Sequence, residues 1–274
     1  MRTARRLVPA IVGLALLLTA VGCEWPDNTR YVDQVFATVT TTNDVTYRET
    51  TDAQGNPVTL KLDVYRPAND TATNRPAVIW GFGGAWQAGN KGQLAPYAID
   101  SAKRGYVAIT IDYRIRPGGG PVLDLAGDAY DDTLASVEFV KAHAAEYGVN
   151  PEAIVVAGYS AGAINALNVA FWPGERGPAT SPAAGAVAIA GFSFGQPAAG
   201  DPPIVMFQGD TDPLVPYGTA DHTCRATRAV GNSCRFYTYA GSGHEIGATK
   251  ATQIMERTAD WIFEVVLYPQ GYRP

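Results

Sequence analysis

Four side chains in this sequence have the best claim to chemistry: a serine between glycines, a histidine behind a glycine, and two aspartates close together. The serine is Ser160 in Gly158-Tyr159-Ser160-Ala161-Gly162. A hydroxyl is a weak nucleophile at neutral pH and attacks a carbonyl carbon once a neighbouring base takes its proton. The base expected here is His244, in Gly241-Ser242-Gly243-His244-Glu245, because the other two histidines have plainer roles. His143 falls within a predicted helix ahead of the serine and reads as a helix-face residue. His222 follows the aspartates with no strand between and reads as helix surface. A carboxylate that fixes the imidazole tautomer and stabilises its cation would complete the set. Asp210 and Asp212, in Gln208-Gly209-Asp210-Thr211-Asp212-Pro213, both qualify, and Asp212 is favoured because it lies deeper in the loop.

Each of these groups sits where an apolar run stops. Ala153 to Ala157 lead into the serine and Ala163 to Ala170 lead away from it, so a buried strand feeds a helix through one sharp turn. Glycines let the backbone fold that tightly and leave the hydroxyl exposed at the helix N-terminus, where the Ala161 N–H is free to hold a developing oxyanion. Phe82-Gly83-Gly84-Ala85-Trp86 follows another apolar strand, Ala77 to Trp80. Its small residues allow the N–H groups of Gly83, Gly84 and Ala85 to point into a cavity, an ordinary glycine turn being the alternative.

From Pro76 onward strands alternate with helices: Val107 to Ile111, Ile154 to Ala157, Ala186 to Ala190, Ile204 to Phe207 and Arg235 to Tyr239 as strands. The helices are predicted over Leu94 to Arg104, Leu125 to Tyr147, the segment after Ser160, Thr219 to Val230 and Thr249 to Leu267. This alternation predicts a mostly parallel sheet with helices on both faces and its working site at the carboxyl ends of the strands. Val35 to Tyr47 and Val58 to Tyr65, joined by Asp52-Ala53-Gln54-Gly55-Asn56-Pro57, predict an antiparallel N-terminal edge.

With 274 residues, 46% of them hydrophobic and 17% charged, the chain suits one sizeable α/β domain. Its start is different in kind. Arg2, Arg5 and Arg6 precede the apolar stretch Leu7 to Val21, which is shorter than the roughly 20 residues a bilayer span requires. Residues 1–22 therefore read as a secretory signal peptide rather than a membrane span, 23–34 as a tether and 35–274 as the catalytic domain. Ala20-Val21-Gly22-Cys23 resembles a bacterial lipobox, which makes Cys23 a candidate lipidation site, and the protein is expected outside the cytoplasm, as an envelope lipoprotein or a secreted protein. With Cys23 so used, Cys224 and Cys234 remain to pair, a disulfide worth roughly 3 kcal/mol, or stay as separate buried thiols. Removing residues 1–22 takes away three arginines and no acid, so the formal net charge moves from −5 to −8. An acidic domain without a lysine cluster argues against nucleic acid as a partner, and leaves the membrane only a lipid anchor at Cys23.

Ser160, Asp212 and His244 occur in the chain order of the α/β-hydrolase fold, and from about Tyr47 to Leu267 the sequence resembles serine esterases of that superfamily. The closest branch holds carboxylesterases, hormone-sensitive-lipase-like esterases and feruloyl-esterase-like enzymes. Their H-G-G-A-W loop is similar to Phe82 to Trp86, their G-x-S-A-G elbow to Gly158 to Gly162, and their H-G-x-x-D-P-x-V-P acid loop to Gln208 to Pro216. The last match independently selects Asp212. Two positions depart from the pattern, Phe82 and Gln208 each standing where the family usually has His, which bears on substrate preference and on the stiffness of the oxyanion loop.

The resemblance implies hydrolysis of carboxylic esters through an acyl-enzyme, with no metal or organic cofactor and a small-molecule ester as the partner. Phe82, Trp86, Tyr159, Phe192 and Phe194 are candidates for the substrate pocket, which suits short acyl or aromatic groups. An arylformamidase, a polyester depolymerase or a peptidase of the same fold would use the same triad. A non-catalytic, envelope-anchored binding protein is the alternative outside enzymes.

Overall fold

The computed structural model describes residues 29–172 and 177–273. The signal segment and Cys23 lie outside the described residues. Eight strands form a single sheet: β1 (Val39–Thr51), β2 (Pro57–Pro67), β3 (Arg75–Gly81), β4 (Val107–Ile111), β5 (Val149–Tyr159), β6 (Gly185–Ile189), β7 (Ile204–Gly209) and β8 (Cys234–Tyr239). Their order is β1-β2-β4-β3-β5-β6-β7-β8. β2 runs antiparallel to both β1 and β4, and every other neighbouring pair is parallel. The hairpin between β1 and β2 turns on Asp52, whose Oδ1 accepts the N–H groups of Gln54 and Asn56 at 2.9 and 2.8 Å.

Every residue of β3, β4, β6 and β7 is buried, as strands covered on both faces must be. Alternation sorts their side chains. Val78 and Trp80 face α1 (Ala95–Lys103) and α7 (Ala251–Trp261), together with Val155, Val187, Val205 and Phe207. Ala77 and Ile79 face the other side, with Ile109, Ile154 and Val156, against α2 (Val122–Ala142) and α4 (Ala161–Phe171). On that second face α5 (Tyr217–Ala229) packs beside α4 over Ala186, Ala188, Ile204 and Met206. Cys224 of α5 and Cys234 of β8 are joined in a disulfide with their Cα atoms 5.6 Å apart.

Two long predicted helices are broken. The first ends at Ala142; His143 stands between it and a short turn, α3 (Ala144–Tyr147), which closes at Gly148 in the left-handed region. His143 is stacked on Phe139, and its Nδ1 lies 2.8 Å from the Phe139 carbonyl, which also accepts the His143 N–H at 3.0 Å. The C-terminal helix is divided at Lys250 into α6 (Ile246–Thr249) and α7, and α7 runs on as a π-helical stretch over Ile262–Leu267.

The segment 29–34, expected to be part of a tether, is packed on the domain. The Tyr31 N–H donates to the Arg104 carbonyl at 2.7 Å, and Tyr31 and Val32 are buried. The Tyr31 ring meets Tyr106 edge-on at 5.3 Å. Arg30 pairs with Asp70, which also receives the Arg75 Nε at 2.8 Å. Burial raises the Asp70 pKa, but hydrogen bonds from Arg30, Arg75 and the Ala72 N–H outweigh it and hold the carboxyl at about 2. A carboxyl depressed in this way stabilises the fold above its unfolded pKa, near 4, and the stabilisation is lost as pH falls from about 4 to about 2. Asp70→Asn is therefore expected to lower stability at pH 6 by on the order of 2 kcal/mol and to flatten the decline between pH 4 and pH 2, as read from denaturation midpoints across that range.

Candidate active site

Parallel register brings the strand ends level: Gly81 pairs with Gly158, Tyr159 with Ile189, Ile189 with Phe207, and Gly209 with Tyr239. The five loops that leave β3, β5, β6, β7 and β8 consequently gather along one edge of the sheet. The shortest is a single residue. Ser160 joins β5 to α4 with φ +56° and ψ −121°, a region that side chains other than glycine rarely adopt. Its N–H donates to the Ile189 carbonyl at 2.9 Å and its carbonyl accepts the Ile164 N–H at 3.0 Å. The flanking glycines are required by close approach, since a Cβ on Gly158 would lie 2.3 Å from the Gly162 carbonyl oxygen, and one on Gly162 2.1 Å from that of Gly81.

The structure brings Ser160, His244 and Asp212 into one hydrogen-bonded chain. His244 Nε2 lies 2.9 Å from Ser160 Oγ, and His244 Nδ1 lies 2.8 Å from Asp212 Oδ2. Asp212 Oδ1 accepts the N–H groups of Leu214 and Val215 at 2.8 and 2.9 Å, and the carboxylate is fully buried. Burial raises its pKa; the N–H of Val215, the His244 imidazole and the N–H of Leu214 outweigh burial and keep it below the ordinary range. A charged carboxylate on Nδ1 places the proton there and leaves Nε2 as the acceptor facing the hydroxyl, which is the tautomer a general base needs.

Asp210, the other candidate, has a different task. Its Oδ1 accepts the Gly241 N–H at 2.7 Å and so ties the loop after β7 to the loop that carries His244. His222 is exposed on α5. Among the described residues no group of three or more His, Cys, Asp or Glu is gathered to hold a metal ion.

A cleft of ≈ 520 Å³ opens over Ser160 and His244. Gly84, Ala85 and Ala161 border it beside the hydroxyl, and Trp86, Tyr159, Phe192 and Phe194 supply aromatic wall. Gly84, Ala85 and Trp86 all have positive φ, at 133°, 52° and 59°. The loop is held in that conformation by the Trp86 Nε1, which donates to Asn165 Oδ1 of α4 at 2.8 Å. Gly83 opens on a neighbouring cleft of ≈ 570 Å³ instead, although a Cβ placed on it would come within 3.0 Å of the Ser160 Cβ. Tyr159 is shared by both clefts, and its hydroxyl donates to the His244 carbonyl at 2.7 Å.

Family models match two overlapping parts of the chain: one described as BD-FAE over residues 62–175, and one described as phospholipase/carboxylesterase over residues 129–262. Among solved structures, esterase 2 of the planctomycete Thermogutta terrifontis superposes with a TM-score of 0.72 at 26% identity, covering 84% of this chain and 94% of that one. The chain has the α/β-hydrolase fold. That same esterase has also been solved phosphonylated by sarin and with propionate bound. In sequence, this α/β-hydrolase is 39% identical over 103 residues to the Oryza sativa subsp. japonica protein named "Probable isoprenylcysteine alpha-carbonyl methylesterase ICMEL1", a match that covers 38% of this chain. It is 31% identical over 122 residues, 42% of its length, to carboxylesterase 1C of Rattus norvegicus. The chain spans under a quarter of the length of these two relatives, 23% and 22% respectively.

Five residues at the site of this α/β-hydrolase went unforeseen. Val122, Ile164, Leu214 and Val215 complete the apolar lining of the cleft, and Val122 and Leu214 are 51% and 71% exposed at its mouth. The fifth is Gln208, whose amide reaches Asp212. Phe82 corrects an expectation in the opposite direction. It is only 1% exposed and does not border the cleft over Ser160. Its ring stacks on Tyr113 with centroids 4.1 Å apart, and the Tyr113 hydroxyl donates to the Phe82 carbonyl at 2.7 Å. Phe82 therefore braces the loop from below, in the core. Phe82→Ala is expected to cost about 3–5 kcal/mol of stability in urea denaturation, and Phe192→Ala, on the half-buried cleft wall, about 1 kcal/mol.

Proposed function

We propose that this protein hydrolyses carboxylic esters by a two-step acyl transfer, with Ser160 as nucleophile, His244 as general base and Asp212 as the acid that orients it. The reading is carried by the unbroken chain from Asp212 Oδ2 through His244 to Ser160 Oγ, with links of 2.8 and 2.9 Å, ending at the floor of an open cleft. His244 Nε2 takes the hydroxyl proton as Oγ attacks the ester carbonyl. Backbone N–H groups of Gly83, Gly84, Ala85 and Ala161 serve the oxyanion, since a first-turn N–H such as that of Ala161 has no acceptor within its own helix. The tetrahedral intermediate collapses with cleavage of the bond to the alkoxy oxygen, which receives the proton back from Nε2. Water then attacks the acyl-enzyme with the same base, freeing the acid and the serine.

The lining of the cleft supports a neutral substrate with short acyl or aromatic groups. It contains no Asp, Glu, Lys or Arg, and its walls are aromatic and aliphatic. A phosphonyl adduct and bound propionate on the Thermogutta terrifontis esterase agree with that choice for a relative of the same fold.

Turnover of p-nitrophenyl acetate and labelling by a fluorophosphonate probe test the assignment. Ser160→Ala is expected to abolish both, and His244→Ala and Asp212→Asn to lower kcat by about 10⁴-fold. Wild type that neither turns over nor labels would refute the reading.

We further propose that the substrate is met outside the cytoplasm by a protein lipidated at Cys23. The Ala20-Val21-Gly22-Cys23 sequence supports this, as does a disulfide between Cys224 and Cys234, since such bonds persist in oxidising compartments. Labelled palmitate supplied to expressing bacteria is expected to enter the wild-type protein and not the Cys23→Ala variant, which should leave the membrane fraction.

A further inference from the structure

Gln208, in β7 just ahead of the loop that carries Asp212, is fully buried. Its Nε2 donates one hydrogen to Asp212 Oδ2 at 3.0 Å and the other to the Val215 carbonyl at 2.9 Å. Both neighbours are acceptors, which fixes the orientation of the amide: turned over, it would press Oε1 against a carboxylate oxygen and a carbonyl. Oε1, at the other end, is buried without a hydrogen-bond partner. An unpartnered buried oxygen is destabilising, and leucine or methionine of similar size would avoid it, so core packing alone gives no reason for an amide here.

The reason lies in the carboxylate. Its two oxygens offer about four acceptor positions. The N–H groups of Leu214 and Val215 occupy two on Oδ1; His244 Nδ1 and Gln208 Nε2 occupy two on Oδ2. Gln208 is thus, among the described residues, the only side chain besides His244 that donates to the oxygen through which Asp212 acts. Resting on the reading of Ser160, His244 and Asp212 as a triad, we propose that Gln208 is a positioning residue, whose uncharged amide fixes Asp212 Oδ2 against His244 Nδ1 with a donor that does not titrate.

Two consequences separate this role from a purely structural one. Without the amide, Asp212 loses a fixed donor and presents more negative charge to His244, so the imidazolium is favoured and the base is lost at a higher pH. A glutamate in the same place would face two acceptors, could donate only while protonated, and once ionised would add a second negative charge beside the first. A histidine keeps a ring N–H donor for Oδ2.

The test is the pH dependence of kcat and KM for p-nitrophenyl acetate, between pH 5 and pH 9, on the purified wild type, Q208M, Q208E and Q208H. Q208M is expected to lower kcat about tenfold with KM within about twofold, and to move the acid limb upward by about half a pH unit. Q208E should move that limb by about one unit or more, and Q208H should bring kcat to within about threefold of wild type. The role is overturned if Q208M and Q208E keep the wild-type acid limb, or if Q208H is as slow as Q208M. Should Q208M show no cooperative melt, the acid limb of Q208E and the kcat of Q208H decide on the same criteria. Fluorophosphonate labelling separates the two levels: a wild type that does not label overturns the triad itself, whereas a labelled wild type with unshifted variants overturns the role of Gln208 alone.

Discussion

The geometry of the site depends on one unfavourable backbone conformation. Ser160 is held at φ +56° and ψ −121°, where a side chain other than glycine costs about 1–3 kcal/mol. It persists because the elements on both sides leave no freedom. β5 lies between β3 and β6, and all eleven residues of α4 are buried. α4 starts so close to the ends of β3 and β5 that only glycine fits at 158 and 162. Burial of that helix and strand, at roughly 25 cal/mol per Å² of apolar surface, is the term that outweighs the strain. A relaxed turn would swing the hydroxyl out of line with the imidazole and uncover a helix that is buried along its whole length.

Histidine and aspartate come from longer loops, and the order there comes from hydrogen bonds between loops. The backbones after β7 and β8 approach until a Cβ on Gly209 would meet the Ser242 carbonyl oxygen at 2.3 Å. Thr211 N–H donates to that same carbonyl at 3.1 Å, and Asp210 reaches the Gly241 N–H. Tyr159, next to the serine, holds the His244 backbone from the third side. Ser160, His244 and Asp212 therefore belong to loops that are mutually bonded, and each 2.8–2.9 Å link among them rests on contacts made by neighbouring residues.

How much of this was legible in the sequence follows from what each residue's environment depends on. The convergence of Ser160, His244 and Asp212 was legible because an apolar strand ending in a glycine-rich turn specifies both the strand end and the face, and parallel strands place their ends together. The sheet was legible for the same reason, down to β4, whose predicted and observed bounds coincide at Val107–Ile111. Phe82 was misjudged because its neighbour in space, Tyr113, lies 31 residues away and beyond a helix, so nothing local marks the ring as buried. The packed turn at 29–34 was hidden likewise: it read as part of a tether, and only the contacts of Arg30 with Asp70 and of Tyr31 with Arg104 and Tyr106 tie it to the domain. Gln208 was visible as a departure from the family pattern, but its bearing on Asp212 needed the turn of the loop.

Charge adds a last constraint on how the site works. The domain is acidic; Asp212 is buried against His244, and Glu245, next to His244 in sequence, is exposed. A neutral ester meets no repulsion on entering an uncharged cleft, and its apolar parts gain from the aromatic walls. On the proposed reaction the ester is neutral but the acid product is not: once ionised, the released carboxylate finds no Lys or Arg on the cleft wall and two like charges close by. On that proposal, the same arrangement that admits a neutral ester disfavours the ionised acid it releases.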